Sequence, residues 1–343
     1  MKALTTRRIS MVKTKKATIY DVAKDAGVSI ATVSRVLNSP ERVSKEKRDK
    51  TLKAIDQLGF IPKEAARERA RKELGRIGVI TPFFTVLSFV QRLRGIAGAF
   101  VKTQYDLTIY PVDTLSRLEG YYTTLPFSQR LDGIIVIALP ISNEYAERIR
   151  QSQLPTIFIE NRVPGFSSIE IDDRLGGRMA AEYLLKKGHT RCAYVGDAVL
   201  PEYSLRPEDK RFEEYRKTFL QHSLPITDDY VKFTVFPPEE DTQIHELFDM
   251  DEPPTAIFAA SDDLAMQVLK IARKKHHRIP DDMALIGFDN TDFSDYLDLT
   301  TIDQALDDSG KLAAEQLIAQ ISDPSRPIQN NIVQLKLIER GTT

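Results

Sequence analysis

The residues near the start of the chain that are best suited to chemistry lie in the segment 29–38. A helix there turns Val33 and Val36 to one side and leaves another face open. That face carries the side chains predicted to point outward, Ile30, Ala31, Ser34 and Arg35. An arginine guanidinium can donate to both acceptors of guanine in the major groove, and a small alanine lets the helix come close to the base edges. The segment therefore predicts a DNA-reading helix.

Local signals predict that this helix is the second of three. Thr18 caps the first helix with Asp21 in capping-box position, and Gly27 ends it. Ser29 and Ser44 are predicted to cap the second and third helices, and Leu52, Ile55 and Leu58 give the third an apolar stripe. The short glycine turn between the first two is typical of a helix-turn-helix. Ser29, Thr32 and Asn38 are placed to contact phosphates.

The distribution of charge also separates the helix-turn-helix segment from the rest of the chain. Residues 1–76 hold 20 lysines and arginines against 9 acids, a net charge of +11, and the remainder has a net charge of −12. A basic module on an acidic body is typical of polyanion binding, although a basic solvated tail would give the same balance. We expect residues 1–16 to form a flexible basic arm, 17–62 the helix-turn-helix headpiece, and 63–74 a hinge helix or linker, because 63–74 has almost no apolar face.

From residue 75 onward, short apolar runs alternate with amphipathic stretches. Ten strands are predicted, at 76–82, 107–112, 133–139, 156–160, 168–171, 192–196, 230–236, 255–260, 283–288 and 332–338. Helices between strands favour parallel sheets, and ten strands exceed one comfortable sheet. The predicted fold class is α+α/β: a helix-turn-helix headpiece followed by two doubly wound α/β lobes. We expect one lobe at about 75–172 and 304–330, and the other at about 173–303 and 331–343.

Other motifs argue against catalysis. Gly176-Gly177 lacks the context of a dinucleotide fingerprint, His276-His277 has no carboxylate at ligand spacing, and the lone Cys192 cannot form a disulfide framework. No catalytic residue, cofactor or metal is expected. No apolar run is long enough to span a bilayer or to serve as a secretory signal, so no membrane association and a cytoplasmic protein are expected.

The chain resembles the lactose-repressor/galactose-repressor (LacI–GalR) family. The strings TIYDVAKDAGVS and TVSRVLN carry the strongest likeness, which continues through DGIIV, IDDRLGGRMAAEYLLKKGH, PTAIFAASDDLAMQVLK, IPDDMALIGFDN and TTIDQ. It covers essentially everything after residue 16. The resemblance implies a body of periplasmic-binding-protein (type I) architecture, a homodimeric repressor, a near-palindromic double-stranded DNA operator, and an effector held between the lobes.

The resemblance also implies roles for individual residues on DNA. Ile30, Ala31 and Arg35 would read bases, and the residues orienting the headpiece would be Ile19, Tyr20, Ser29, Thr32, Ser34, Asn38, Arg42 and Ser44. Lys63, Ala66 and Arg69 would lie on a hinge helix in the minor groove. The family usually has leucine at the position of Arg69 and asparagine at that of Lys63. Because an arginine head loses hydration on entering a base stack, we expect a less sharply bent operator than leucine gives.

For the effector, the resemblance implies a polar pocket suited to a sugar or sugar derivative. Its candidate residues are Glu160, Arg211, Ser261, Asp289 and Gln304, with Pro82, Phe83 and Phe236 as an apolar wall. Carboxylates accept from hydroxyls, and a guanidinium donates to two oxygens. Each residue also has a structural alternative, such as a surface charge for Arg211, a turn for Asp289 and core packing for Phe83.

Three alternatives remain open. The body alone suits a ligand-binding protein without a regulatory role, although the headpiece argues against this. A sugar-modifying enzyme would need catalytic residues that the sequence does not supply. A regulator could also be controlled by a protein partner rather than by a pocket ligand. For the dimer, the resemblance places the interface along the helix that begins near Val86 and along 262–270.

Overall fold

The computed structural model describes residues 17–38, 40–60, 75–199, 201–235 and 242–343. The headpiece contains three helices, α1 (Ile19–Asp25), α2 (Ile30–Asn38) and α3 (Lys45–Leu58). The Thr18–Asp21 capping box is confirmed, and the Ser29 hydroxyl accepts from the Thr32 amide at 3.2 Å. Ser44 stands at the predicted cap position, but its side chain makes no capping bond to α3.

The headpiece core confirms the predicted faces of α2. Val22, Val33 and Ile55 are buried at its centre. Leu58, however, is exposed, so its assignment to the core is wrong. The chain turns back at the left-handed Gly59, with the Phe60 amide bonded to the Ile55 carbonyl, and Phe60 is buried instead.

The first lobe is built on a six-stranded parallel sheet in the order β11-β5-β4-β3-β1-β2. Its strands are β1 (Gly75–Pro82), β2 (Tyr105–Val112), β3 (Gly133–Ile137), β4 (Thr156–Ile159), β5 (Ser167–Ile171) and β11 (Asn330–Val333). Its helices are α4 (Leu87–Phe100), α5 (Leu115–Thr124), α6 (Asn143–Ser152) and α12 (Leu306–Ser322). Every residue of β3 and β4 is buried, because helices cover both faces of the sheet.

The second lobe has the sheet order β12-β10-β9-β8-β6-β7, parallel except for β12. Its strands are β6 (Cys192–Val199), β7 (Val231–Val235), β8 (Ala256–Ala259), β9 (Ala284–Asp289), β10 (Thr300–Asp303) and β12 (Lys336–Ile338). Its helices are α7 (Asp173–Lys186), α8 (Pro207–Gln221), α9 (Thr242–Asp249), α10 (Asp262–Lys274) and α11 (Asp292–Tyr296). The two-lobed α/β prediction is thus confirmed.

Two predictions about the strands fail at the lobe crossings. The segment 332–338, expected to be one strand, is divided between β11 in the first sheet and β12 in the second. The chain therefore enters the second lobe for the last time after Val333, not at residue 331. Strand β10, which lies directly before the crossing back to the first lobe, was not predicted at all, because four residues give too short an apolar pattern.

Glycines bring helix backbones together beside the lobe crossings. A Cβ on Gly177 of α7 would lie 2.0 Å from the Arg211 carbonyl oxygen, and one on Gly310 of α12 would lie 2.1 Å from that of Arg92. Only glycine permits such contacts. The Gly176-Gly177 pair therefore has a packing role, and this close packing positions Arg211 and Arg92 near the gap between the lobes.

Candidate functional site

A cavity of about 110 Å³ lies between the two lobes, where the carboxyl ends of several strands meet. Pro82 ends β1 and Asp289 ends β9, while Glu160 and Gln304 directly follow β4 and β10, and Ser261 lies two residues after β8. This is where open α/β sheets bind their ligands. Seven of the eight predicted effector residues line the cavity: Pro82, Phe83, Glu160, Arg211, Ser261, Asp289 and Gln304. Phe236 lies outside the described residues.

Arg211 projects from α8 and is held rigidly by the protein. Its Nε donates to Asp173 at 2.9 Å and its Nη1 to the Ala260 carbonyl at 2.8 Å. The guanidinium lies 3.7 Å from the centre of the Phe288 ring. Burial lowers the pKa of Arg211, but nearby carboxylates, Asp173 foremost, outweigh it and raise that pKa overall. The side chain is therefore a fixed cation on the cavity wall rather than a surface charge.

Arg92, which was not predicted from the sequence, lies at the centre of the hydrogen bonds on the opposite wall. It is 1% exposed on α4 and donates to Glu160 at 2.6 Å and to the Ser309 hydroxyl at 3.2 Å. It also donates to Gln304 at 3.3 Å, and the Gln304 amide in turn donates to Asp289. The available signal was an arginine four residues before buried Ile96, on the face that packs inward.

Three lining carboxylates were also missed: Asp197, Glu208 and Asp263. Burial raises the pKa of Asp197 to about 6, that of Glu208 to about 7 and that of Asp263 to about 6. Burial also raises the pKa of Asp289 well above its ordinary value. A signal for Asp197 was its place in the extension of a buried strand, but nothing in the sequence places Glu208 and Asp263 on the same wall.

The backbone at the cavity is strained at three lining residues, which changes the direction of their side chains. Phe83, Glu160 and Asp289 have positive φ values of 43°, 62° and 123°. Non-glycine residues adopt such values at an energetic cost that the surrounding fold must offset. The Phe83 ring packs 5.9 Å from that of Phe89 and 6.1 Å from that of Tyr203, between ring centres. An apolar patch therefore faces the charged groups across the cavity.

The headpiece presents most of the predicted DNA-contacting residues at its surface. Tyr20 is 68% and Ile30 42% exposed, and the other exposed candidates are Ser29, Ala31, Arg35, Arg42 and Ser44. Thr32, whose hydroxyl lies 2.9 Å from that of Ser29, is half-buried, as is Ser34. Ile19 packs against the headpiece core, so its role is at least partly structural. The Asn38 side chain and the hinge candidates Lys63, Ala66 and Arg69 lie outside the described residues.

Ion pairs join the headpiece to the first lobe. Asp56 of α3 accepts from Arg148 of α6, which is 4% exposed and also donates to the Thr123 carbonyl at 3.0 and 3.2 Å. Arg48 of α3 donates to Glu119 of α5 at 2.8 Å. These contacts bury part of α3 against the lobe, whereas the exposed face of α2 stays accessible.

In the part of the chain that the structure describes, no helix combines the length and apolarity needed to cross a membrane. Those same residues contain no cluster of three or more histidine, cysteine, aspartate or glutamate side chains arranged to hold a metal ion.

Two family models and a curated relative match this chain. Residues 18–63 match the model of bacterial regulatory proteins of the lacI family, and residues 162–343 match that of a periplasmic binding protein-like domain. Catabolite control protein A of Priestia megaterium is 30% identical over 326 residues, covering 93% of this chain and 96% of that protein.

Two solved structures are similar in fold and sequence. The lac repressor dimer bound to operator and the anti-inducer ONPF is 25% identical, with a TM-score of 0.65, covering 96% of this chain and 99% of that one. A lacI-family regulator from Enterococcus faecium with bound ribose is 25% identical, with a TM-score of 0.66, covering 78% of this chain and 98% of that one.

Proposed function

This chain belongs to the lacI family of bacterial regulatory proteins, and we propose that it is a homodimeric repressor whose operator affinity is set by a small polar effector in the inter-lobe cavity. The observation that carries the proposal is the convergence of Arg211, Asp289 and Gln304 on a cavity formed by both lobes. A ligand that contacts both lobes binds one lobe arrangement better than another, and so shifts the equilibrium between them.

The chemistry of the cavity favours a polyhydroxylated effector. Carboxylate oxygens accept hydrogen bonds from hydroxyls, the Arg211 guanidinium donates, and the Phe83 ring offers an apolar surface to a sugar face. The ribose bound to the Enterococcus faecium relative and the operator bound to the lac repressor support the same assignment for this chain. The basic arm, headpiece and linker would then act together on DNA.

Dimerisation is supported by the surface of α4. Val90 on α4 and Val101 directly after it are 46% and 77% exposed, and exposed Ala97 lies on the same side of the helix. These three apolar residues form a stripe that flanks Arg94, which pairs with Asp292 and Asp307. Two headpieces held by a symmetric interface would match a near-palindromic operator. We therefore place the interface on this side of α4.

The proposal is tested by selecting operator fragments with the full chain and measuring their affinity against a panel of sugars, sugar acids and amino sugars. We expect at least one compound to change operator Kd by about 5- to 150-fold. The Arg211→Met variant should lose this response and keep its ligand-free operator affinity. Arg216→Met is the control, since Arg216 lies on the same helix in an exposed pair with Asp228.

An Arg211→Met protein that is folded by circular dichroism and still responds would contradict the site assignment. A wild-type protein whose operator affinity no compound changes would contradict effector control and favour control by a protein partner.

A further inference from the structure

One wall of the cavity is acidic and is not neutralised by the protein. Asp197 comes from β6, Glu208 from the first turn of α8 and Asp263 from the first turn of α10. Among the described residues, Asp197 Oδ1 and Glu208 Oε1 are buried without any hydrogen-bond partner. Glu208 is 6% exposed. Buried polar atoms normally find partners, so these two oxygens are free to accept hydrogen bonds from a ligand in the cavity.

The two positive charges of the cavity are already paired with carboxylates of the protein. Arg92 pairs with Glu160 at 2.6 Å, and Arg211 pairs with Asp173 at 2.9 Å. Asp289 is bonded by the Gln304 amide. Counting the charged residues that line the cavity, two arginines face five carboxylates: Glu160, Asp197, Glu208, Asp263 and Asp289. The cavity is therefore acidic beyond what its own cations balance.

The neighbouring elements do not supply the missing charge. Arg206 Nε lies 3.9 Å from Glu208 Oε1, but Asp209 accepts from Arg206 Nε and Nη2 at 2.9 and 3.1 Å. Behind the cavity, Asp262 adds a further carboxylate, held by Thr291, Ser294 and Thr301. Because Asp209 already accepts from the Arg206 guanidinium, Asp197 Oδ1 and Glu208 Oε1 remain without a donor.

We infer that the wall of Asp197, Glu208 and Asp263 is a subsite for a protonated amino group, and that the effector is an amino sugar or a similarly small polyol amine. This inference rests on the proposed function of the cavity. An ammonium group brings a positive charge and three donors, which suits several carboxylates that lack donors, whereas a hydroxyl brings one donor and no charge. The hydroxyls of the same molecule would bind at Asp289 and Arg211.

The wall also responds to protons when no ligand is bound. Burial raises the pKa of Asp197 to about 6, of Glu208 to about 7 and of Asp263 to about 6. A protonated carboxyl can donate to a neutral ligand but loses its attraction for a cation. Amine binding should therefore weaken as pH falls from about 7.5 to about 5.5, a sign opposite to that expected if protonated carboxyls bound neutral sugars.

The test uses matched probes that differ in one group: glucosamine and glucose, galactosamine and galactose, mannosamine and mannose. Binding to the full chain is measured by calorimetry and thermal shift at pH 7.5 and 5.5. We expect at least one amine to bind about tenfold or more tightly than its hydroxyl partner at pH 7.5, with the preference reduced at pH 5.5. Glu208→Gln and Asp197→Asn should reduce that preference. Glu213→Gln, on the same helix as Glu208, removes a charge from an exposed pair with Arg174 and should not.

The outcomes separate this inference from the proposed function. A neutral sugar that binds as tightly as its amine partner and changes operator affinity overturns the cationic subsite and leaves effector control standing. Binding of no amine in the panel also overturns it. An amine preference that survives in both Glu208→Gln and Asp197→Asn would show that the charge is recognised elsewhere.

Discussion

The Gln304 side-chain amide donates to the Asp289 carboxylate, while its carbonyl oxygen accepts from Arg92 at 3.3 Å. Asp289 ends a strand of the second lobe, and Arg92 lies on a helix of the first. Gln304 stands on the crossover after β10 and is 2% exposed. One buried side chain thus links an ionisable group of each lobe at the edge of the inter-lobe cavity.

Removing this link should lower the free energy of unfolding and weaken the coupling between effector binding and operator affinity. Gln304→Met keeps the side-chain length but leaves the buried Asp289 carboxyl without its amide donor, which costs about 1–3 kcal/mol. It also removes one of three acceptors of Arg92, which keeps Glu160 and Ser309. We expect a lower free energy of unfolding in denaturant and a smaller effector-induced change in operator Kd. Gln320→Met is the control, because Gln320 donates to Ser167 at 3.0 Å away from this cavity. Equal changes in coupling for both variants would refute the role of Gln304.

Glu208 should make the ligand-free body less stable as pH rises. Burial raises its pKa from 4.5 to about 7, so between these values the folded protein holds a proton that the unfolded chain has released. The stability that Glu208 contributes is therefore fully present below pH 4.5 and is lost as pH rises through 7. Glu208→Gln should match the wild type near pH 5 and exceed it near pH 8, by an amount on the order of 3 kcal/mol at most.

The measurement is urea unfolding of both proteins at several pH values. Glu213→Gln is the control, since Glu213 lies on the same helix in an exposed pair with Arg174, and its difference from the wild type should not grow with pH. A Glu208→Gln difference that is independent of pH would contradict the burial of an ionisable group at this position.

Arg35 should discriminate between sequences, whereas Lys47 should not. Both are exposed, Arg35 on α2 and Lys47 on α3. Arg35→Ala should cost about 1–3 kcal/mol on the selected operator and little on random duplex. Lys47→Ala should weaken both alike and reduce the slope of log affinity against log salt by about one. Equal losses on both duplexes for Arg35→Ala would show that Arg35 contacts only phosphate.

The Asp56–Arg148 pair should hold the headpiece against the first lobe. Asp56→Asn leaves the buried Arg148 guanidinium without its counter-charge, which favours separation of α3 from the lobe. In hydrogen exchange of the free protein, we expect the α3 amides to exchange about 5- to 30-fold faster, the effect of one or two kcal/mol. Glu46→Gln breaks an exposed pair with Lys50 on the same helix and should change little. Unchanged exchange in Asp56→Asn would rule out a docking role.

The exposed stripe on α4 should determine assembly. Val90→Glu places a charge in the proposed interface, where it would be desolvated without a partner, so the dimer should dissociate to monomer at micromolar concentration. Sedimentation velocity measures this directly. Leu220→Glu, at a 61% exposed position on α8, should remain dimeric. A wild-type monomer, or a Val90→Glu dimer of unchanged stability, would place the interface elsewhere.

Local interactions explain what the sequence by itself determined. The Thr18 capping box, the Ser29 cap and the alternation of buried and exposed positions in α2 act within a few residues, so a pattern of residue types suffices to predict them. Most body strands were equally predictable, because an apolar run buried on both faces has a strong signal. The resemblance to a known family supplied the candidate effector residues, and seven of these eight residues line one cavity.

Only the tertiary structure decided which other charged groups join the candidate effector residues at the cavity. Arg92 reaches Glu160 and Gln304 across 68 and 212 positions of sequence, and Asp197, Glu208 and Asp263 come from three different elements. The division of 332–338 between two sheets likewise depends on strands far away in the chain. Strand order and helix packing bring such groups together, and neither leaves a periodic signal in the residues concerned. Burial then sets their charge, since the cost of ionisation depends on the surroundings that folding creates.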